Sequence, residues 1–396
     1  MIIGSGISGL TCGNVLAKEK KDFLIVDQND KVGGRVQSDF SNGFIFDKGF
    51  QVYLTEYSLG KLFLNYSDLK LCAFEPGAKI YKNSTFYLIS DPLKNPSEFY
   101  KTLFSPLATL SDKFRILFLK IFLSQFDNNE IINDEDITTK EYLREFGFST
   151  RFINDFFAPF FGGVFLEKDL STSSSFFKFV FSKFSNGNVV IPKKGMQEIP
   201  NQLYNNIGCE KVILNTKITS LKDNKIHTEN GDSIHFKKLV LAGNIDQIYP
   251  HKIKYNSVKC LYFVCNEKIS NDRYIHLFPE DDLINNIVFI NNISSNYAPR
   301  DVSLLSISLI GNILSSKTLI KTIQKKISKI YKIDIDKIDF LKEYQIDKAL
   351  PHQSKGYFKK NVTLNKNYLF AGDHTTHSSI EGAMLSGKRV AENLIN

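Results

Sequence analysis

The sequence predicts an α/β fold, a Rossmann-like dinucleotide-binding unit with an inserted α+β part, and three observations carry that reading. A short apolar run, Met1-Ile2-Ile3, leads straight into Gly4, Gly6 and Gly9 in the spacing GxGxxG. A helical stretch follows, with Leu10, Val15, Leu16 and Ala17 as its apolar stripe. A second apolar run, Phe23 to Val26, then ends at Asp27. The chemistry of phosphate binding needs that order. The first glycine makes the tight turn from strand to helix, the second lets the backbone approach a pyrophosphate, and the third lets the helix pack on the strand. The helix N-terminus, with Ser8 in its first turn, then offers free N–H groups and a positive dipole end to the phosphates. Asp27 lies about 20 residues further on, where a carboxylate accepts from a ribose 2′-OH and disfavours a 2′-phosphate.

Composition narrows the class. A chain of 396 residues buries a large core and is expected to divide into two domains. With 42% apolar and 23% charged residues it reads as an ordinary globular protein. Phenylalanine is abundant, at 34 residues, and tryptophan is absent, so any pocket is expected to have phenylalanine walls. The net charge of +8 comes without a long Lys/Arg block. No nucleic-acid partner is therefore expected, while a weak attraction to anionic membrane surfaces stays open.

The five cysteines (Cys12, Cys72, Cys209, Cys260 and Cys265) contain no CxxC and no metal-like cluster, which suits a reduced, cytoplasmic chain without a metal. The apolar N-terminus lacks a positive n-region, and no presequence is expected ahead of the first strand. Phe114 to Phe126 is interrupted by Arg115 and Lys120 and is too short to span a bilayer. It is expected to be a buried helix rather than a membrane-contact patch.

Beyond Asp27 come Val32-Gly33-Gly34-Arg35, then Phe44 to Asp47 as a short strand, then the turn Lys48-Gly49-Phe50-Gln51-Val52. A glycine pair followed by arginine can bring N–H groups and a guanidinium to one phosphate. The order GxGxxG, acidic strand end, GGR and FDxG-type turn resembles the superfamily of FAD-dependent amine oxidases, phytoene desaturases and protoporphyrinogen oxidases. The resemblance implies a second FAD segment near the C-terminus, and one is present. Tyr368-Leu369-Phe370-Ala371-Gly372-Asp373 reads as a strand ending in Gly-Asp, followed by His374 to Ser379 and by Ile380-Glu381-Gly382-Ala383 opening a helix. That helix N-terminus could stabilise negative charge on a reduced flavin. Ile191 to Met196 is similar to the family's PxGGM segment, with Lys194 in place of one glycine. The resemblance puts the backbone of Ile218 beside adenine, and Phe50 and Gln51 near the flavin ring.

The resemblance implies an FAD-binding domain from three stretches, 1–85, 191–244 and 345–396, and a substrate domain from 86–190 and 245–344. The first inserted stretch carries helical patterns at Ser111 to Phe126, Thr138 to Phe146 and Arg151 to Phe161. The second alternates as strands at Val258 to Cys265, Ile287 to Ile290 and Leu304 to Ile310. It closes with a helix bearing Leu319, Ile320, Ile323, Ile327 and Ile330 on one face.

The expected cofactor is non-covalent FAD, since the last cysteine, Cys265, is far from the C-terminal flavin segment. FAD carries its own redox chemistry, so no acid or base is obligatory. Phe50, Gln51, His374 and His377 are the flavin-face candidates, and Glu381 is expected to support its helix. The rings between Phe152 and Phe165 and between Phe176 and Phe184 suit an apolar or polyene substrate. The expected function is hydride transfer from a hydrophobic small molecule to flavin N5, nearer the desaturases than the amine oxidases, with oxygen or a quinone as electron acceptor left open. Oxidation of a small amine, redox-neutral isomerisation and non-catalytic FAD binding remain alternatives.

Overall fold

The computed structural model describes residues 1–91, 93–125, 136–243, 253–357 and 368–395. The expected domain boundary at 244–245 and the expected helix end at Phe126 lie outside the described residues.

Short apolar runs from distant parts of the chain pair side by side. Ile2–Ile3 lies between Ile25–Val26 and Leu239–Leu241. Val212–Ile213 extends the sheet on one side and Tyr368–Phe370 on the other. All these pairings are parallel, and the three central strands are wholly buried. Burial on both faces is why they read as unbroken apolar runs rather than alternating ones. The helix Ile7–Lys18 makes the first crossover, and the chain leaves it through Lys20 in the left-handed region.

The C-terminal helix, Ile380–Ile395, crosses that first helix. The crossing depends on Gly387, where a Cβ would sit 2.2 Å from the carbonyl oxygen of Ser8. A methyl group there would separate the two ends of the chain.

The second sheet has seven strands in the order Ile338–Pro351, Tyr255–Cys265, Ser303–Ile310, Asn286–Phe289, Ile275–Leu277, Gly77–Lys82 and Thr85–Ser90. Its strands alternate by face. Leu261 and Phe263 pack with Leu319, Ile323 and Ile327 of the helix Lys317–Tyr331, while Cys260 and Tyr262 point into the core shared with the glycine-rich end. The hairpin Gly77–Ser90 pairs into this sheet ahead of residue 86, and the strand Ile338–Pro351 runs through residue 345. Backbone pairing thus carries the second sheet past the segment ends expected at 85 and 344. Asn286–Phe289 is a strand as expected, but Ile290 opens a helical turn, Ile290–Ile293.

Helices close the molecule over this sheet. The stretch expected as one helix, Arg151 to Phe161, runs from Thr150 to Phe165 in three pieces, with a π-turn at Ile153–Phe157 between Thr150–Phe152 and Ala158–Phe165. Thr139–Glu145 and Ser174–Asn186 pack beside it. The helix Leu110–Ser124 starts at a capping box of Thr109 and Asp112. Asp112 also accepts from Ser149 N and Oγ, which ties the helix to the start of Thr150–Phe152.

The expectation of a buried helix here is overturned. Only Asp112, Leu119 and Leu123 of Leu110–Ser124 are buried, while Phe114 is 72% and Phe118 59% exposed. The helix packs through one narrow stripe and leaves the opposite apolar face uncovered by any described residue.

Candidate functional site: a cavity between the glycine turns and a phenylalanine wall

The three fingerprint glycines are required for different reasons. A Cβ on Gly4 (φ +109°) would sit 2.7 Å from the amide nitrogen of Gly243, and a Cβ on Gly9 would sit 2.0 Å from the oxygen of Gly4. Gly4 lets the chain pass close to the end of the neighbouring strand, and Gly9 lets the helix pack on the turn. A Cβ on Gly6 would meet no atom within 4 Å, because Gly6 faces the cavity. No described residue needs that space, so the glycine leaves it for a ligand. Gly6 is also the N-cap of the first helix, which has no side-chain cap, and its first N–H groups suit an anion. The second glycine pair packs on the same turn. Gly33 N donates to Ser5 O at 2.9 Å, and a Cβ on Gly34 would lie 3.3 Å from the Cα of Gly6. This cradle fits the pyrophosphate of a flavin dinucleotide.

Asp27 lines the same cavity, but its carboxylate is already engaged. One oxygen accepts from Ser5 N (2.6 Å) and Ser5 Oγ (2.8 Å), the other from Asn29 N and Nδ2 (both 2.9 Å). A carboxylate offers about four lone-pair sites, so a ribose hydroxyl would share or displace one of these donors. Arg35 is committed in a similar way. Its guanidinium reaches Asp373 Oδ1 at 2.5 Å and the carbonyl of Ala349 at 2.9 Å. It joins the N-terminal turn to the C-terminal Gly372-Asp373 segment and keeps further N–H donors for a phosphate.

Around the expected ring position, Gly49 (φ +93°) carries the turn that exposes Phe50 and Gln51 to the cavity. Gln51 Nε2 donates to Arg35 O (2.7 Å) and Lys48 O (2.9 Å), so this side chain braces the two turns. Ile380 opens the C-terminal helix at the cavity wall, with Gly372, Asp373 and His374 beside it. His377 does not join them. It is buried against Phe179, with ring centroids 4.4 Å apart, and Nδ1 meets Ser379 Oγ at 2.9 Å. Burial lowers its pKa to about 3, so it is a neutral core histidine, displaced from the cavity by the phenylalanines around it. Glu381 accepts from Ser58 Oγ and from the amides of Leu59 and Gly60, which caps the helix Ser58–Phe63.

Ser8 and Ile218 also line the cavity, whereas Gly9 lies behind the turn. Sequence reasoning missed Gly243, Thr216 and Tyr57, which line it too. Gly243, two residues beyond the strand Leu239–Leu241, was itself a readable signal; nothing local marks the other two.

The cavity has a volume of about 1040 Å³ and continues away from the glycine turns. Phe152, Phe156, Phe160, Phe161, Phe176, Phe181 and Phe184 line it, while Phe157, Phe165, Phe177 and Phe179 fill the core behind. At its far end stand Lys94, Lys113 and Lys120 with Leu110, Phe114 and Leu117. Lys94 donates to the carbonyl of Phe184 (2.8 Å), and Lys120 pairs with Asp91 (2.7 Å). None of the five cysteines lines the cavity, and the described residues hold no metal-like cluster of three or more His, Cys, Asp or Glu.

Comparison with known proteins gives the family and the fold. The pattern of the family described as flavin containing amine oxidoreductase matches residues 7–395. An inactive all-trans-retinol 13,14-reductase of Danio rerio is 41% identical over 71 residues, 18% of this chain and 11% of that protein. A 4,4'-diapophytoene desaturase (4,4'-diaponeurosporene-forming) of Staphylococcus haemolyticus (strain JCSC1435) is 23% identical over 199 residues, 38% of this chain and 37% of that protein. The matches thus take in well under half the length of either relative. The crystal structure of an oxidoreductase from Methanosarcina mazei has the same fold, with a TM-score of 0.73 at 13% identity, covering 99% of each chain.

Proposed function

The chain belongs to the family of flavin containing amine oxidoreductases, and from that premise we propose that it is an FAD-dependent enzyme that oxidises or desaturates a hydrophobic small molecule. One observation carries this reading. A single cavity has glycine turns from both chain ends at one side and phenylalanine rings at the other. Non-covalently bound FAD would supply the redox chemistry, accepting a hydride at N5.

The chain's own residues do the rest. Gly6, Gly33, Gly34 and the open helix N-terminus would hold the pyrophosphate. Arg35 and Asp373 would fix the two ends of the chain against each other. The Ile380 helix N-terminus would favour negative charge on the cofactor side of the cavity. The phenylalanine wall would bind an apolar substrate and exclude water from it. No acid or base is assigned: of the two histidines considered, only His374 lines the cavity. The run of phenylalanines lining the cavity supports the polyene class over small amines.

An anaerobic bleaching screen tests the proposal. Holoprotein is mixed with polyenes, small amines and porphyrinogens, and the flavin absorbance near its long-wavelength band is followed. Bleaching by a polyene, with product lighter by two hydrogens, is expected. Unchanged product mass would assign redox-neutral isomerisation instead, and bleaching by amines alone would assign amine oxidation. Purified protein that is colourless and cannot be reconstituted with FAD would overturn the reading.

A further inference from the structure

The exposed helix Leu110–Ser124 presents Leu110, Phe114, Leu117, Phe118 and Ile121 on one face, with exposures of 62%, 72%, 37%, 59% and 51%. Their spacing of four, seven, eight and eleven residues from the first is that of a single helical stripe, about 16 Å long at 1.5 Å per residue. Phe104 (76% exposed) and Leu93 (64% exposed) lie in the segments leading to it. Large exposed apolar surfaces of this kind mark sites of interaction.

Three of these residues have a second property. Leu110, Phe114 and Leu117 also line the cavity. A side chain that is both solvent-exposed and cavity-lining stands on the rim, so the stripe is continuous with the phenylalanine wall. The charged residues of the helix are Lys113, Arg115 and Lys120 against the single Asp112. Asp112 is buried and bonded to Thr109 and Ser149, and Lys120 is paired with Asp91, so the basic charge the helix shows at the rim is that of Lys113 and Arg115. No helix is long and apolar enough to cross a membrane among the described residues.

We propose that the helix Leu110–Ser124 lies in the surface of an anionic phospholipid bilayer and opens the cavity directly to the membrane interior. Phe114, Phe118 and Ile121 enter the acyl boundary, while Lys113 and Arg115 remain at the level of the headgroups, an arrangement typical of interfacial amphipathic helices. A water-insoluble substrate then passes from lipid to cavity without crossing water. The proposal rests on the reading of the cavity as a site for a hydrophobic molecule, and a second copy of the chain or another protein would be the competing occupant of the stripe.

The test is flotation of the holoprotein with phosphatidylcholine vesicles, with and without phosphatidylglycerol. The comparison variant combines Phe104→Ser, Phe118→Ser and Ile121→Ser, three positions that do not line the cavity. Wild type is expected to float with the vesicles, more strongly with the anionic lipid. The variant should partition at least about tenfold less, given three exposed apolar side chains lost from the buried face, with its flavin absorbance and thermal unfolding unchanged. Failure of wild type to float with either lipid overturns the proposal, as does equal flotation of the variant. Dimerisation of wild type through this face, abolished in the variant, with no flotation by either, assigns the stripe to a second copy and also overturns it. The readout does not depend on turnover. Vesicle binding without substrate bleaching would sink the substrate reading and leave the docking surface standing.

Discussion

Two helices of this protein both carry several phenylalanines and have opposite fates. Ser174–Asn186 carries Phe176, Phe177, Phe179, Phe181 and Phe184, and its residues from Ser174 to Ser182 are all buried. Leu110–Ser124 carries Phe114, Phe118 and Phe122 among leucines and isoleucines, yet buries little beyond Leu119 and Leu123. The difference lies in what surrounds each helix. Phe177 meets Phe161 of the neighbouring helix edge-on at 4.7 Å, and Phe179 meets His377 from the C-terminal loop at 4.4 Å. Elements on several sides enclose that helix, whereas Leu110–Ser124 is anchored through a single stripe. Phenylalanine content tells how much apolar surface a helix has. It does not tell how many neighbours the fold will supply.

The sharpest test of this contrast is a pair of truncations. Phe177→Ala removes a ring that is wholly buried and should lower stability by about 3–5 kcal/mol, the range for large aromatic cavities. Phe114→Ala removes an exposed ring and should change stability by no more than about 0.5 kcal/mol. Urea unfolding of the two variants reads both values. Equal losses would mean that the exposed helix is enclosed in solution after all.

The enclosed side also carries an acid-sensitive group. His377 titrates near 6.5 when unfolded and at about 3 in the folded protein, because burial disfavours its charged form. Between those values the unfolded chain binds the extra proton. Stability therefore rises with pH through this window and is lost as pH falls from about 6.5 towards 3, by up to about 1.4 kcal/mol per unit. Comparison of urea midpoints at pH 7 and pH 5 for wild type and His377→Gln checks this. The variant should lose stability less steeply on acidification; the same slope in both would remove His377 as the cause.

What could be read from the sequence follows the same division between local and long-range causes. The glycine turn, its helix and the strand ending at Asp27 depend on steric rules acting over a few residues, and the chain forms them where expected. The parallel strand Tyr368–Phe370 was equally visible as a short apolar run, although it lies at the sheet edge and is only half-buried. The partners of the charged residues were not. Arg35 meets Asp373 and Ala349 from the far end of the chain, and Asp27 is satisfied by Ser5 and Asn29. Only the closed fold decides which donor reaches which acceptor. His377 and the exposed helix escaped for the complementary reason: burial is a property of neighbours, and a short sequence window contains none of them.

The smallest expected effect on the fold tests the open side of the contrast within the cofactor cradle itself. Gly6 has φ −70° and ψ 177°, a conformation open to any residue, and a Cβ there meets nothing within 4 Å. Gly6→Ala should therefore alter stability by no more than about 0.5 kcal/mol, while the added methyl group enters the space left for the pyrophosphate. Purified variant should unfold at nearly the wild-type urea concentration and carry less flavin per chain, measured by absorbance after denaturation. A variant that retains full flavin would show that the cofactor approaches from elsewhere. A variant that unfolds readily would show instead that Gly6, like Gly9, is there for packing, and that the cavity does not begin at this turn.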